Sequence, residues 1–404
     1  MRHVVIAAIV CGFGCGSAEP PARNPEQRRE DSAPAVEALQ ASKFDAAGNA
    51  AQIALGQDPR NARAAAIHAI ATYRRAGHDL LQQLELVVEQ GETMKALDHA
   101  KGRRVWTAFL ERLEDVDRDL AIVAADPSFS LELCLACWEH DWNRSGEIDD
   151  RDRKLFEIEF DGKGGELADG DPRRRPTYRF DVGDAEWARA MIAFQRAAVE
   201  IVLAYKWSEL DLLFATRDAK RIVIRIDDKS RVRRARELVL AGLDHAARCR
   251  TAYLAETDDD REWVPNPRQK NYAMPLDVDA TLYETWQGVL GDVKRMLESK
   301  EGISLREAKS VVGELETPIP DAFIDLGAML RDPKDIVFDL EKLDGHTGDK
   351  AANVEGILRD LLGNGYRTKM KPSPIVSRLR RMKDELSRGE DTFDRKLRYL
   401  IWLN

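Results

Sequence analysis

The sequence predicts an all-α protein made of several irregular helical hairpins. Apolar side chains recur three or four positions apart through most of the 404 residues, which is the spacing of amphipathic helices. The run Arg221–Ile226 is the one segment that favours a strand, and its length also suits a buried helical turn. Hydrophobic residues make up 44% of the chain, a fraction typical of a globular protein with an apolar core.

The N-terminal segment 1–15 has the features of an export signal. A short basic stretch, Met1–His3, precedes an apolar run, Val4–Gly14, that is far shorter than the roughly 20 residues of a membrane-spanning helix. Cys15 follows a small residue, and the segment resembles a bacterial lipoprotein signal. The resemblance implies that Cys15 is lipidated and that the chain is anchored in the cell envelope, on the periplasmic or extracellular face of a membrane. Ordinary signal cleavage near Ala18 is the alternative.

Two regions follow the signal. Residues 16–34 are rich in Pro, Glu, Arg and Ser, a composition that predicts a disordered tether. Residues 35–125 show the helical spacing of small and apolar side chains. Four positions resemble the second helix of a tetratricopeptide repeat, namely Phe44, Ala47, Ala54 and Leu55. We therefore expect a TPR-like helical region in which Pro59 begins the next helix.

A twelve-residue stretch, 141–152, carries the pattern of an EF-hand calcium loop. The expected oxygen ligands occupy loop positions 1, 3, 5, 7, 9 and 12, and they are Asp141, Asn143, Ser145, Glu147 (through its backbone carbonyl), Asp149 and Asp152. Gly146 stands at position 6, where the loop turns too sharply for a side chain. A hard divalent cation needs several oxygens from one short segment, and alternate residues of a tight loop supply them.

The loop resembles the dockerin type of EF-hand, in which Asp occupies position 12. Asp152 is shorter than the usual Glu, which lowers the expected affinity for Ca²⁺ and its selectivity against Mg²⁺. The resemblance implies a helix–loop–helix over 126–163, with Cys134 and Cys137 on the first helix and Arg153–Phe160 forming the second. We expect both cysteines to remain reduced, because closing so short a ring strains a regular helix. A decayed loop that binds nothing is the alternative.

The remaining chain is predicted to form a helical core domain, 184–300, and a C-terminal helical region, 301–404. Asp184 is expected to cap the first long helix of the core domain, Ala185–Trp207. An acidic loop contains Glu256, Asp258–Asp260 and Glu262, which could hold a metal ion or act as paired carboxylates. Charge runs are usually solvated, so the interpretation we favour is an exposed loop without a function.

No sequence motif of a known enzyme class occurs, whether of the nucleophile-elbow, phosphate-binding or zinc-protease type. The net charge of −9 argues against general binding of nucleic acid. We therefore expect a non-enzymatic, lipid-anchored protein with a structural calcium site and a protein partner on its helical surface. Two alternatives stay open. The first is an envelope hydrolase, which a cleft lined by carboxylates away from Asp141 would favour, and the second is a calcium-responsive adaptor.

Overall fold

The computed structural model describes residues 23–94, 97–142, 145–161, 165–211, 221–257, 261–270, 279–312, 319–339 and 350–386. The predicted signal with Cys15, the loop residue Asn143, the acidic run Asp258–Asp260 and the tail after 386 lie outside these ranges. Within them the chain forms twelve α-helices and eight short strands, which confirms the predicted all-α class. None of the helices described there combines the length and the apolar composition needed to cross a membrane.

The helices are numbered in chain order. They are α1 Pro25–Gln40, α2 Phe44–Gln57, α3 Ala62–Met94, α4 His99–Ala124, α5 Asp150–Arg153, α6 Val182–Ala204, α7 Lys229–Ala255, α8 Ala280–Leu297, α9 Leu305–Val312, α10 Leu326–Arg331, α11 Lys350–Leu362 and α12 Ile375–Leu386. The long helices α3, α4, α6 and α7 pack side by side in that order, and α1 and α2 pack against the start of α3.

The strands form three small antiparallel sheets. They are β1 Leu131–Leu133, β2 Tyr178–Phe180, β3 Tyr205–Lys206, β4 Arg221–Ile226, β5 Ile303–Ser304, β6 Phe323–Ile324, β7 Ile336–Asp339 and β8 Tyr366–Arg367. In the first sheet β1 pairs with β2, in the second β4 lies between β3 and β7, and in the third β6 lies between β5 and β8. The run Arg221–Ile226 is thus a strand, and Ile222 and Ile224 on one face of it are buried.

The first helix begins earlier than the predicted tether allowed. Asn24 caps α1 by accepting a hydrogen bond from the Gln27 backbone N–H, and the Gln27 side chain accepts one from the Asn24 N–H. The Arg28 side chain pairs with Asp58 at 2.7 Å and ties α1 to the turn after α2. Residues 25–34 are therefore helical, and a tether can include only residues before them.

The turn between α2 and α3 also differs from the prediction. Helix α3 begins at Ala62, three residues after Pro59. The Asn61 side chain accepts a hydrogen bond from the Ala64 N–H at 3.1 Å and donates one to the Arg28 carbonyl at 2.9 Å. Asn61 therefore takes the capping role, because its amide satisfies a free N–H of α3 and a carbonyl of α1 at once.

Helix α6 is the central element of the fold. Asp181 caps it by accepting hydrogen bonds from the Gly183 and Asp184 N–H groups, and the Asp184 carboxylate accepts one from the Asp181 N–H. Asp184 thus lies at the third helical position and is not the cap that we predicted. Arg189 and Arg196 of α6 both pair with Asp117 of α4, which fixes the two helices together.

Candidate functional site

The predicted calcium loop is closed on itself by its own carboxylates. The Asp141 carboxylate accepts hydrogen bonds from the Ser145 N–H at 2.9 Å and from the Gly146 N–H at 2.7 Å. Gly146 has a φ of +91°, a conformation that side chains with a Cβ rarely adopt. The sharp turn expected at position 6 is therefore present, and Asp141 is held across it.

The end of the loop returns to its beginning through Asp152. One Asp152 oxygen accepts the Trp142 N–H at 2.7 Å, and the other accepts the Asp149 N–H at 3.0 Å. Asp149 in turn caps the short helix α5, and only 3% of Asp152 is exposed.

The other predicted ligands have mixed placements. The Ser145 hydroxyl donates a hydrogen bond to the Glu147 carbonyl at 2.9 Å. Two oxygens that were expected to bind the ion are therefore hydrogen-bonded to each other. Asn143 lies outside the described residues. The acidic groups of Asp141, Asp149 and Asp152 do not form a set in which every ligand atom lies within 4.8 Å of the others.

The segments on either side of the loop are not the predicted helices. Strand β1 and a 3₁₀ turn, Leu135–Cys137, precede the loop, because β1 pairs with the distant strand β2. Helix α5 ends at Arg153, and the Ile158 N–H donates to the Arg174 carbonyl at 2.9 Å, which draws the chain out of the helical path. The prediction of a regular helix–loop–helix is therefore wrong.

The cysteines of this segment are also paired in a way that we did not expect. Cys134 and Cys137 form a disulfide across the 3₁₀ turn. The expectation of reduced thiols rested on a helix, and the turn that replaces the helix brings the two sulfurs together. Cys249 is free and buried, and burial raises the pKa of its thiol.

Aromatic side chains join the loop to the N-terminal helices. The ring of Trp142 lies against those of Phe156 and His140, with centroids 5.3 Å and 4.8 Å away. The Arg74 guanidinium of α3 lies 4.0 Å from the centroid of Phe44 and donates a hydrogen bond to His140. Burial, together with the charge of Arg74, lowers the pKa of His140, which favours the neutral ring that accepts this bond.

A second group of carboxylates lies at the N-terminal end of α6. Ligand atoms of Asp181, Glu256 and Glu262 all lie within 4.8 Å of one another, a spacing that could suit a metal ion. Glu262 is buried and pairs with Arg179 at 2.7 Å. The prediction of a solvated loop is therefore wrong for Glu262, whereas Glu256 is half-buried.

The acidic groups in this cluster strongly affect one another's protonation. Burial, reinforced by hydrogen bonds with Asp181 and Glu262, raises the pKa of Glu256 to about 10. Burial and the charge of Asp181 raise the pKa of Asp184, whose carboxylate accepts a hydrogen bond from the Tyr253 hydroxyl at 2.7 Å. Crowded carboxyl groups share protons because their negative charges repel, which makes such a cluster a candidate functional site.

The cluster borders an apolar cavity of about 310 Å³. Asp181 and Asp184 are among its lining residues, together with Trp187 and Trp263. Another wall comes from the segment that precedes the calcium loop, through Leu131, Leu133, Leu135 and Trp138. The volume is at the lower end of the range of ligand pockets, about 300–1,000 Å³. The segment that contains the disulfide therefore lies next to both, because it lines the cavity and leads directly into the predicted loop.

No protein-family model, curated protein or solved structure matches this chain. Its function has to be argued from its own residues.

A partial signal for the carboxylate cluster is present in the sequence. Asp181 and Asp184 stand three apart before a long helix, as in a capping box, and Glu262 is followed directly by Trp263.

Proposed function

We propose that the chain is a calcium-binding, lipid-anchored protein of the bacterial envelope that works by binding a ligand or partner rather than by catalysis. The observation that carries the proposal is the closure of loop 141–152 by Asp141 and Asp152, one carboxylate from each end. Backbone N–H donors orient both groups, and positions 1 and 12 of an EF-hand loop are where side-chain oxygens bind the ion. The left-handed turn at Gly146 supports the same interpretation.

Calcium in this proposal stabilises the fold and carries no signal. A single loop with Asp at position 12 is expected to be weak, and extracellular calcium is near millimolar. With a Kd of ~0.1 mM and ~1 mM free ion, binding contributes about 1.4 kcal/mol to the free energy of unfolding. Because Trp142 packs on Phe156 and His140, a filled loop would also stiffen the segment that lines the cavity.

The envelope location rests on two features that support each other. Cys15 stands in a lipoprotein-like signal, and the Cys134–Cys137 disulfide is of a kind that persists mainly in oxidising compartments. Cells that express the full chain should incorporate labelled fatty acid, and Cys15→Ser should lose the label. Label that survives in Cys15→Ser would contradict the lipid anchor, and processed protein with an N-terminus near Glu19 would indicate ordinary cleavage.

Calorimetry tests the calcium site directly. The purified protein should bind one Ca²⁺ per chain at sub-millimolar to millimolar affinity, and Asp141→Ala should abolish the binding heat. Asp150→Ala is the matched control, because Asp150 lies in the same loop at a non-ligating position and its side chain is 80% exposed. The proposal is wrong if wild type gives neither binding heat nor a rise in Tm at several millimolar calcium.

A hydrolase is the second candidate, and the carboxylates at the end of the cavity favour it. A protonated Glu256 next to an ionised partner could act as general acid and base. The cavity wall, however, is almost entirely apolar and offers few hydrogen-bond partners to a sugar or a peptide. A hydrolytic activity that Glu256→Gln removes and Asp141→Ala leaves intact would establish this candidate in place of the first.

A further inference from the structure

The cavity runs along helix α6. Its lining residues include Asp184 near the start of the helix and Gln195 eleven residues later. At 1.5 Å per residue these positions are about 16 Å apart along the helix axis, so the cavity is elongated. An extended molecule would therefore lie parallel to α6.

The two ends of the cavity differ in polarity. At one end the Gln195 amide donates to the Tyr73 hydroxyl at 2.8 Å, and the Tyr73 side chain is 39% exposed, so this end meets solvent. At the other end are Asp181 and Asp184, with Glu256 and Glu262 close to Asp181. A ligand would enter at the first end and place its polar group at the second.

Charge complementarity defines the polar group of the occupant. None of the described residues that line the cavity is Lys, Arg or His, whereas two are carboxylic acids. Arg179 pairs with Glu262 but does not line the cavity. A protonated amine at the acidic end would offset the repulsion between Asp181 and Asp184 and would donate charge-assisted hydrogen bonds to their oxygens. The indole rings of Trp187 and Trp263 add faces that attract cations.

We propose that this cavity binds an elongated amphiphile with one protonated amine, which places the amine against Asp181 and Asp184 and its apolar chain along α6. A fatty acid would bring a carboxylate to this end and be repelled. A peptide would leave backbone groups without partners against the apolar wall. A divalent ion would use the carboxylates alone and leave the apolar length of the cavity unexplained.

Three ligands of equal chain length test the class of occupant. Calorimetry at pH 7.5 with octylamine, 1-octanol and octanoate compares a positive, a neutral and a negative head group. EDTA is present throughout, so failure of the calcium loop has no bearing on the result. Octylamine should bind about tenfold or more tightly than 1-octanol, since a charge-assisted contact is worth ~1.4 kcal/mol or more, and octanoate should bind weakest.

Two variants locate the site. Asp184→Asn keeps an oxygen for the Tyr253 hydroxyl and removes the carboxyl group that would ionise against the amine, so octylamine should lose most of its advantage while 1-octanol binds as before. Asp244→Asn, an exposed change on the neighbouring helix α7, should alter neither affinity. Ala188→Leu narrows the cavity one turn of α6 after Asp184 and should weaken the amine and the alcohol by similar factors.

Three results would overturn the proposal. Equal affinity for the amine and the alcohol would show an apolar cavity without charge selection. Tighter binding of octanoate would reverse the assigned charge, and no binding of any ligand at millimolar concentration would exclude the site. Should Asp184→Asn fail to fold, the wild-type ligand series together with Ala188→Leu still decides between these outcomes.

Discussion

The predicted calcium loop and the carboxylate cluster at α6 both gather acidic side chains, but the groups that face those side chains differ. In loop 141–152 the carboxylates of Asp141, Asp149 and Asp152 accept hydrogen bonds from backbone N–H groups. In the cluster, carboxyl groups face one another, and burial raises the pKa of Glu256 to about 10. The loop carboxylates therefore stabilise the folded chain without a ligand, whereas the clustered ones destabilise it when they ionise.

The two regions also differ in how well the sequence predicted them. The loop has its acidic residues within twelve consecutive positions, and their spacing alone predicts a cation site. The cluster joins Asp181 at the start of α6 with Glu256 and Glu262 after α7. The packing of α6 on α7 and the bridge between Arg179 and Glu262 bring these residues together, and no local pattern encodes either contact.

The largest effect that distinguishes the two regions should come from Asp152→Ala. The change removes the acceptor of the Trp142 and Asp149 N–H groups at a position that is 3% exposed. We expect the free energy of unfolding to fall by about 2 kcal/mol even in EDTA, because buried donors lose their partners. Urea unfolding measures it, with Asp150→Ala as the control. No loss in EDTA would mean that the carboxylate matters only as a calcium ligand.

Removal of the disulfide tests the segment between β1 and the predicted loop, which also lines the cavity. The Cys134→Ser, Cys137→Ser double variant opens a very short ring, for which chain entropy predicts a loss of about 2 kcal/mol or less. Trp138 follows the disulfide directly, lines the cavity and lies near the ring of Trp142 in the loop. A change in this segment should therefore lower the calcium affinity together with the stability. Unchanged calcium affinity would show that the loop holds its shape independently of this segment.

Local sequence signals predicted the helices well where nothing distant competes with them. Helix α12, Ile375–Leu386, lies in the predicted C-terminal helical region, 301–404, and its amphipathic spacing is regular. The start of α6 was misplaced because Asp181 and Asp184 both suit a cap, and only their reciprocal hydrogen bonds identify which one it is. The segment before the calcium loop was predicted as a helix because its partner, Tyr178–Phe180, is more than forty residues away.

Removal of a carboxyl group from the cluster at α6 should stabilise the protein, whereas Asp152→Ala in the loop should destabilise it. The pKa of Glu256 rises from an ordinary 4.5 to about 10, so between these values the folded state holds a proton that the unfolded state has lost. Stability should therefore fall as pH rises through this window. Glu256→Gln should raise Tm at pH 8 and flatten the decline of Tm between pH 6 and pH 9.

Glu111→Gln provides the control for this pH series. Glu111 is an exposed residue of α4, and its replacement removes the same charge without touching the cluster. Its Tm should follow the wild-type pH dependence. If Glu256→Gln lowers Tm at pH 8 or keeps the full slope, the carboxyl groups at α6 do not destabilise one another, and the contrast with the loop disappears.

The smallest effect concerns the length of the side chain at loop position 12. Asp152→Glu supplies the longer carboxylate that binds calcium through both oxygens, so calcium should bind a few-fold more tightly relative to magnesium, a gain of about 1 kcal/mol or less. Asp152 already accepts two backbone N–H groups, and the longer side chain has to keep at least the bond from Trp142 while it turns toward the ion. Calorimetry with both ions measures the ratio, and Asp150→Glu serves as the control. Unchanged or weaker calcium binding in Asp152→Glu would mean that the loop backbone is shaped around Asp, or that this residue closes the loop without binding the ion.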